Sequence, residues 1–322
     1  MFDEILPNIF KIQVPLPDNP LKALNSYVIK DNERNLIVDT GMNREECLNV
    51  LQSSLKKLNV DLRKTDFFIT HQHADHMGLV STLATDSSTI YFNQPDLDLI
   101  NSVDYLENLF NFVSMSGFPK NKIQDIFEQH PGYVYNPIDT SSFTILKEGD
   151  IVTVGDYIFQ CVETPGHTNG HMCLYENNKK ILISGDHILN DITPNIILRS
   201  YEMNPLDEYL SSLDKIYELD IEMVLPAHKD IFTDCKSRID QIKHHHQIRC
   251  DEIISILKQR SADAFSVASL MTWELSYDSW EQFPTPQKWF ATGEANAHLK
   301  HLENKGLLKR EILDKKIQYS LI

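Results

Sequence analysis

The 322 residues carry 42% hydrophobic and 24% charged side chains, a globular balance that excludes a disordered chain. No apolar run approaches the ~20 residues that a membrane span needs. A formal net charge of −16 excludes a protein that coats nucleic acid or anionic membrane. The charge is uneven, with 13 Lys and Arg against 11 Asp and Glu in residues 236–322, but 17 against 35 in residues 1–235.

In chain order, the N-terminal MFDEILPNIFKI has early acids and neither a basic region nor a small-residue cleavage site, so it does not read as a signal peptide. NSYVIKD and RNLIVDTG read as consecutive strands split by a turn. REECLNVLQSSLKKL spaces apolar residues at 47, 48, 51, 55 and 58, as a helix does. The strand DFFI, a helix from about 76 and the strand TIYFN follow. Residues 95–142 break this rhythm with two helix-like, aromatic-rich segments, read as an insertion that packs on the body or covers a pocket. From 143 come FTIL, IVTV, YIFQCVET, HMCLYEN and KILISGD, then the helix-like PLDEYLSSLDKIYEL and the strand EMVLPAH. Two strand-rich halves, each ending in helices, predict an α/β sandwich with helices on both outer faces.

The remainder predicts a smaller second domain. Residues 236–260 have the spacing of one long helix, SVASLMTWEL and EANAHLKHLENKGLLKREI of two more, and LLKREILDKKIQYSLI of a β-hairpin turning at Asp314-Lys315. Helices followed by a small hairpin make a winged-helix pattern. The expected domains are therefore 1–235, with its insertion at about 95–142, and 236–322. Five scattered cysteines without a CxxC pair predict reduced core thiols in a cytoplasmic protein.

The chemistry gathers at THQHADHMG (70–78), where a strand delivers His71, His73, Asp75 and His76 to a loop. TPGHTNGH places His167, SGDHIL places Asp186 and LPAHKD places His228, each where a predicted strand gives way to a loop. Ligands at several strand ends can converge on one rim of a sheet. Neutral imidazole and carboxylate suit Zn²⁺, and also Fe²⁺ or Mn²⁺. These five histidines and two aspartates suffice for two ions with one bridging carboxylate and a bridging hydroxide as nucleophile. His171 and His187 neighbour the candidates and could support them; His130, His298 and His301 read as surface or packing residues. The helical KHHH (243–246) points its rings in different directions, a poor metal site but a source of one wall residue.

HxHxDH followed by a later His, Asp and His resembles the metallo-β-lactamase superfamily over about residues 5–235. The resemblance implies an αββα sandwich in which His71, His73 and His167 hold one metal. Asp75, His76 and His228 would hold the second, Asp186 would bridge, and Asp39 in IVDTG would brace the metal loop. An aspartate at 186 is similar to the hydroxyacylglutathione hydrolase, lactonase and nuclease branches rather than to most true β-lactamases. The appended winged helix resembles the β-lactamase-like protein 2 group. Diiron relatives usually have Glu where this chain has His73, which favours hydrolysis over redox chemistry.

The expected function is hydrolysis of a small acyl compound, a thioester or lactone, with Asp75 handling protons. Phe110, Phe112, Phe118, Phe127 and Tyr105 would wall the acyl group, and Tyr201 would donate a hydrogen bond to its carbonyl. The alternative is a single-stranded RNA endonuclease, favoured by Lys300, Lys305, Lys309 and Arg310 but opposed by the acidic body. A winged-helix DNA sensor is disfavoured, because Glu294 and Glu303 would repel phosphate. The expected partner is thus a small-molecule substrate, with no membrane, nucleic acid disfavoured and a homodimer left open.

Overall fold

Strand-forming sequence accounts for two sheets in the computed structural model. It describes residues 2–129, 142–273 and 277–322, without the side chains of 124, 125 and 127–129. The side chain of the proposed wall residue Phe127 and the whole of the histidine at 130 therefore lie outside what is described. The chain divides into two compact units. Unit 1 takes the described parts of Met1–Asn101, Pro131–Pro194 and Lys215–Arg238; unit 2 takes those of Ser102–His130, Asn195–Asp214 and Ile239–Ile322.

In unit 1, β1 (Phe2–Leu6), β2 (Ile9–Pro15), β3 (Ala23–Ile29), β4 (Asn35–Val38), β5 (Thr65–Phe68), β6 (Ile90–Phe92) and β7 (Phe143–Ile145) form one sheet in that order. The pairings are antiparallel from β1 to β4 and parallel from β4 to β7. The second sheet runs β12 (Met223–Pro226), β11 (Ile181–Gly185), β10 (Met172–Glu176), β9 (Tyr157–Glu163) and β8 (Ile151–Val154). Only the β11–β12 pair in it is parallel.

Alternation of side chains along a strand explains why β4 reads as an unbroken apolar run. Leu36 and Val38 join Tyr27, Ile29 and Phe68 in a core shared with Phe159, Cys161, Leu174 and Ile183 of the second sheet. Ile37, with Val28 and Phe67, faces the opposite way onto Cys47, Leu51 and Leu55 of α1 (Glu45–Lys57). Those three fall on one helical face, and burial of each leucine contributes about 1.5–3 kcal/mol. Glu45 and Glu46 in the first turn and Lys56 and Lys57 in the last complement the helix dipole. Cys173, Leu182 and Val224 of the second sheet alternate away from the shared core and are also fully buried, so this sheet is covered on both faces.

Some elements differ from expectation. The N-terminal hairpin β1–β2 was not anticipated; it turns at Pro7-Asn8, where Asn8 takes φ 64°. The single helix expected from about 76 is two short ones, Ala74–Met77 and Val80–Leu83. The physical reason is that Thr40 N donates to His76 O at 2.7 Å, taking a carbonyl that a continuous helix would use.

In unit 2, the part of helix Cys235–Leu257 from Ile239 onward contributes Cys250, Ile253 and Leu257 to a core with Val267 and Ala268 of helix Ala264–Leu270. Ala291, Ala295, Leu299 and Leu302 of helix Thr285–Asn304 complete the packing with Leu308, Ile317 and Tyr319. The last helix starts nine residues before the expected EANAHL segment, with a proline in its first turn, where no backbone donor is needed. β13 (Leu308–Leu313) and β14 (Lys316–Leu321) pair antiparallel. Asp314 and Lys315 both adopt positive φ, the two-residue turn whose twist suits a hairpin. Phe112 packs on Tyr201 and Phe118 on Phe265 and Trp289, so packing, rather than an open wall, is what these two rings provide. All five cysteines are free and buried. Among the described residues no helix is long and apolar enough to cross a membrane.

Candidate metal centre

Parallel pairing of β4 and β5 sets Val38 beside Phe68, so Asp39 and the segment Ile69–Thr70 leave the sheet side by side. Asp39 takes φ 57°, a left-handed conformation that Asp tolerates better than most residues. Its carboxylate accepts from Thr70 N at 2.9 Å, Thr70 Oγ1 at 2.9 Å and His76 Nδ1 at 2.7 Å. Thr70 Oγ1 in turn lies 3.0 Å from His71 Nδ1. With the hydroxyl proton given to Asp39, this oxygen accepts from His71 Nδ1–H, leaving Nε2 as a lone pair. His73 caps the short helix that carries Asp75 and His76.

The remaining ligands arrive on the second sheet. The β9–β10 loop is closed by Thr164 N donating to His171 O at 2.8 Å, and it carries His167. β11 ends at Gly185, φ +51°, where an added Cβ would stand 2.5 Å from His171 Nε2. Glycine there lets Asp186 N donate to His171 Nε2 at 3.0 Å, while His171 Nδ1 is 2.8 Å from Thr164 Oγ1. His171 thus holds the backbone of Asp186 without using its ring as a ligand. His187 is fully buried, with its ring 6.1 Å from that of His171. His228 follows β12, and its Nδ1 donates to Ala23 O at 2.9 Å, again leaving Nε2 as a lone pair.

Two groups of ligand atoms result, His71, His73, His167 and Asp186 in one and Asp75, His76 and His228 in the other, each within 4.8 Å of its own members. His73 Nδ1 lies 2.9 Å from His71 Nε2 and 3.1 Å from His167 Nε2. The edge of a tetrahedron drawn with zinc–nitrogen bonds is about 3.3 Å, so the spacing suits a shared cation. Asp186 stands between the groups. Its Oδ2 is 3.5 Å from His167 Nε2, and its Oδ1 is 3.4 Å from His228 Nε2 and 3.6 Å from His76 Nε2. Asp75 Oδ2 lies 3.4 Å from His228 Nε2 and 3.8 Å from His76 Nε2.

The donor set fits a divalent metal. His76 Nε2, His228 Nε2 and Asp186 Oδ1 are buried and have no hydrogen-bond partner, although Nδ1 of both rings is secured. Each such atom costs about 1–3 kcal/mol when left unsatisfied, a penalty that a cation removes. The field has the matching sign. Burial pushes the His76 imidazole down, but Asp39, Asp186 and Asp75 outweigh it and hold His76 well above its usual value. Burial likewise opposes ionisation of Asp75 and Asp186, yet the surrounding imidazoles keep both carboxyls well below their usual range. His71, by contrast, is pushed well down by burial and by its neighbouring imidazoles, so it is neutral as a ligand must be.

All seven candidate ligands and Asp39 are therefore brought together. Tyr201 is not among them: its ring meets Phe112 at 4.8 Å and the Arg310 guanidinium at 4.2 Å, and it packs on the core of unit 2. Asp96 and Thr168 were not read from the sequence, whereas the supporting role expected of His171 takes the form of its bond to Asp186 N. The signal for Asp96 was the cap sequence NQPD, in which Asn93 Oδ1 accepts from Asp96 N at 2.8 Å.

The sandwich and its gathered His and Asp side chains define a class: residues 21–228 match the model of the metallo-beta-lactamase superfamily, and the chain belongs to that superfamily. Together with the ligand cluster, this membership supports a hydrolase. The chain is 25% identical over 272 residues to a probable metallo-hydrolase, YqjP, of Bacillus subtilis, covering 81% of this chain and 83% of that protein. It is 26% identical to a beta-lactamase-like protein 2 homolog of Caenorhabditis elegans, over 74% of this chain and 67% of the other. It is 24% identical to an atrochrysone carboxyl ACP thioesterase of Emericella nidulans, over 74% of this chain but only 60% of that protein. A beta-lactamase domain protein from Burkholderia ambifaria shares the fold with TM-score 0.87 at 24% identity, covering 100% of this chain and 94% of its own.

Proposed function

We propose that the protein is a dinuclear metal hydrolase of small acyl compounds, with thioesters as the first substrate class. The observation that carries this reading is Asp186 standing between the two ligand groups with one oxygen toward each. His71, His73 and His167 would hold one ion and Asp75, His76 and His228 a second, with the Asp186 carboxylate available to both. Zn²⁺ suits this donor set, as do Fe²⁺ and Mn²⁺. When bound, such ions polarise a carbonyl oxygen and bring the pKa of water down to ~7. The chain's own residues do the rest. Asp39 and the carbonyl of Ala23 fix the tautomers of His76 and His228. Asp75, held ionised, accepts the proton of the attacking water and returns it to the departing thiolate. The similarity to a carboxyl ACP thioesterase supports a thioester over other acyl compounds.

The test is thiol release from a panel of acyl-thioesters by protein loaded separately with zinc, manganese and iron, with Asp186→Ala alongside. Turnover that disappears in the variant is expected. No thiol release with any metal overturns the thioester reading and moves lactones and labelled single-stranded RNA to the front.

A further inference from the structure

The buried carboxylate of Asp96 ties the loop that carries His71 and His73 to the loop that carries His167. Asp96 lies in the first turn of helix Gln94–Ile100, and both it and Thr168 are fully buried. Its Oδ2 accepts from Gln72 N at 3.0 Å and from Thr168 Oγ1 at 2.8 Å, and its Oδ1 accepts from Gly170 N at 2.9 Å. Gln72 is the residue between His71 and His73, and Thr168 follows His167. These loops come from different sheets and are far apart in sequence, so nothing local fixes their separation.

The approach is close. An added Cβ at Gly170 would fall 1.6 Å from Asn93 Oδ1 and 2.9 Å from Asp96 N, so only glycine lets the loop reach the capped helix. Asn93 holds Asp96 N at the same time, which fixes the carboxylate on a formed helix turn.

We infer that Asp96 is a positioning residue that clamps the His71/His73 loop to the His167 loop and so sets the affinity of that ligand group alone. Asp39 bonds His76 of the other group directly and reaches His71 only through the Thr70 hydroxyl. The inference rests on the metal-centre reading above, and it goes beyond it by giving each ligand group its own buried carboxylate. Asn in place of Asp keeps the size but offers one acceptor oxygen and a donor amide. It can satisfy Gln72 N or Gly170 N, not both.

The experiment measures zinc affinity by chelator competition in two backgrounds. His228→Ala leaves the His71, His73 and His167 group, and His73→Ala leaves the Asp75, His76 and His228 group. Addition of Asp96→Asn is expected to weaken binding about 10–100-fold in the first background and leave the second unchanged, with folding followed by circular dichroism. Equal weakening in both backgrounds, or none in the first, overturns the inference. If the His228→Ala protein binds no zinc, the metal-centre reading itself falls and takes the clamp with it. Should Asp96→Asn fail to fold, Thr168→Val makes the same comparison, with a smaller but equally selective loss expected because both backbone donors remain.

Discussion

Both units bury histidines, and they do opposite things with them. In unit 1, His76 and His228 have one nitrogen secured and the other unpartnered, and three aspartates hold the local field negative. In unit 2, His298 Nδ1 donates to Glu294 O at 2.8 Å, and His246 Nδ1 donates to His298 Nε2 at 3.0 Å. That leaves His246 Nε2 as a single buried lone pair, and among the described residues no metal-ligating group of His and carboxylate gathers around it. Burial pushes His246 well down and His298 down to about 3, and Arg249 adds to both shifts. The lesson is that burial does not make a histidine a ligand. Several lone pairs must converge on one point, with carboxylates to pay the cost of the cation.

The largest effect expected from this contrast is at Asp186. Replacement by alanine should lower turnover by more than the roughly 10–100-fold typical of residues that only support metal ligands, while the circular dichroism spectrum stays unchanged. Wild-type turnover with metals quantified would erase the distinction between the two units. Next comes Asp39→Asn, which leaves every ligand in place but weakens the hold on His76. Metal affinity measured by chelator competition should fall about 10–100-fold.

A smaller effect separates the units by pH. His246 and His298 are neutral in the folded chain with depressed values, so their contribution to stability is full above their unfolded pKa of about 6.5 and is lost as pH falls below it. Glu294 works in the opposite direction. Burial raises it to about 7, so its folded form is favoured as pH falls from 7 toward its unfolded value of 4.5. Glu294→Gln should therefore steepen the loss of stability between pH 7.5 and 5, read from denaturant midpoints; a shallower curve would contradict the assignment. The smallest expected effect is none. His246→Gln should leave metal content unchanged by elemental analysis, and any loss of a bound ion would break the comparison.

The sequence was explicit where chemistry is local. HxHxDH, His167, Asp186 and His228 stood out because each follows a strand with a readable apolar pattern, and strand ends are where sheets present side chains. The hairpin at Asp314-Lys315 was equally legible from its alternation, and both turn residues take the positive φ that a two-residue turn needs. The KHHH run was ambiguous, since a helix spreads adjacent rings and only packing decides which is buried.

What the amino-acid order determined by itself, then, was the set of ligands and the strands that carry them, because both are written in short periods and fixed residue types. Tertiary structure alone decided the clamp of Asp96 on Gln72, Thr168 and Gly170 and the grip of His171 on Asp186. The two ligand groups with Asp186 between them, which the resemblance to the superfamily implied, form in the same packing. These are relations between segments far apart in the chain. No local period encodes them, and they exist only once the two sheets have packed and the buried donors must find acceptors.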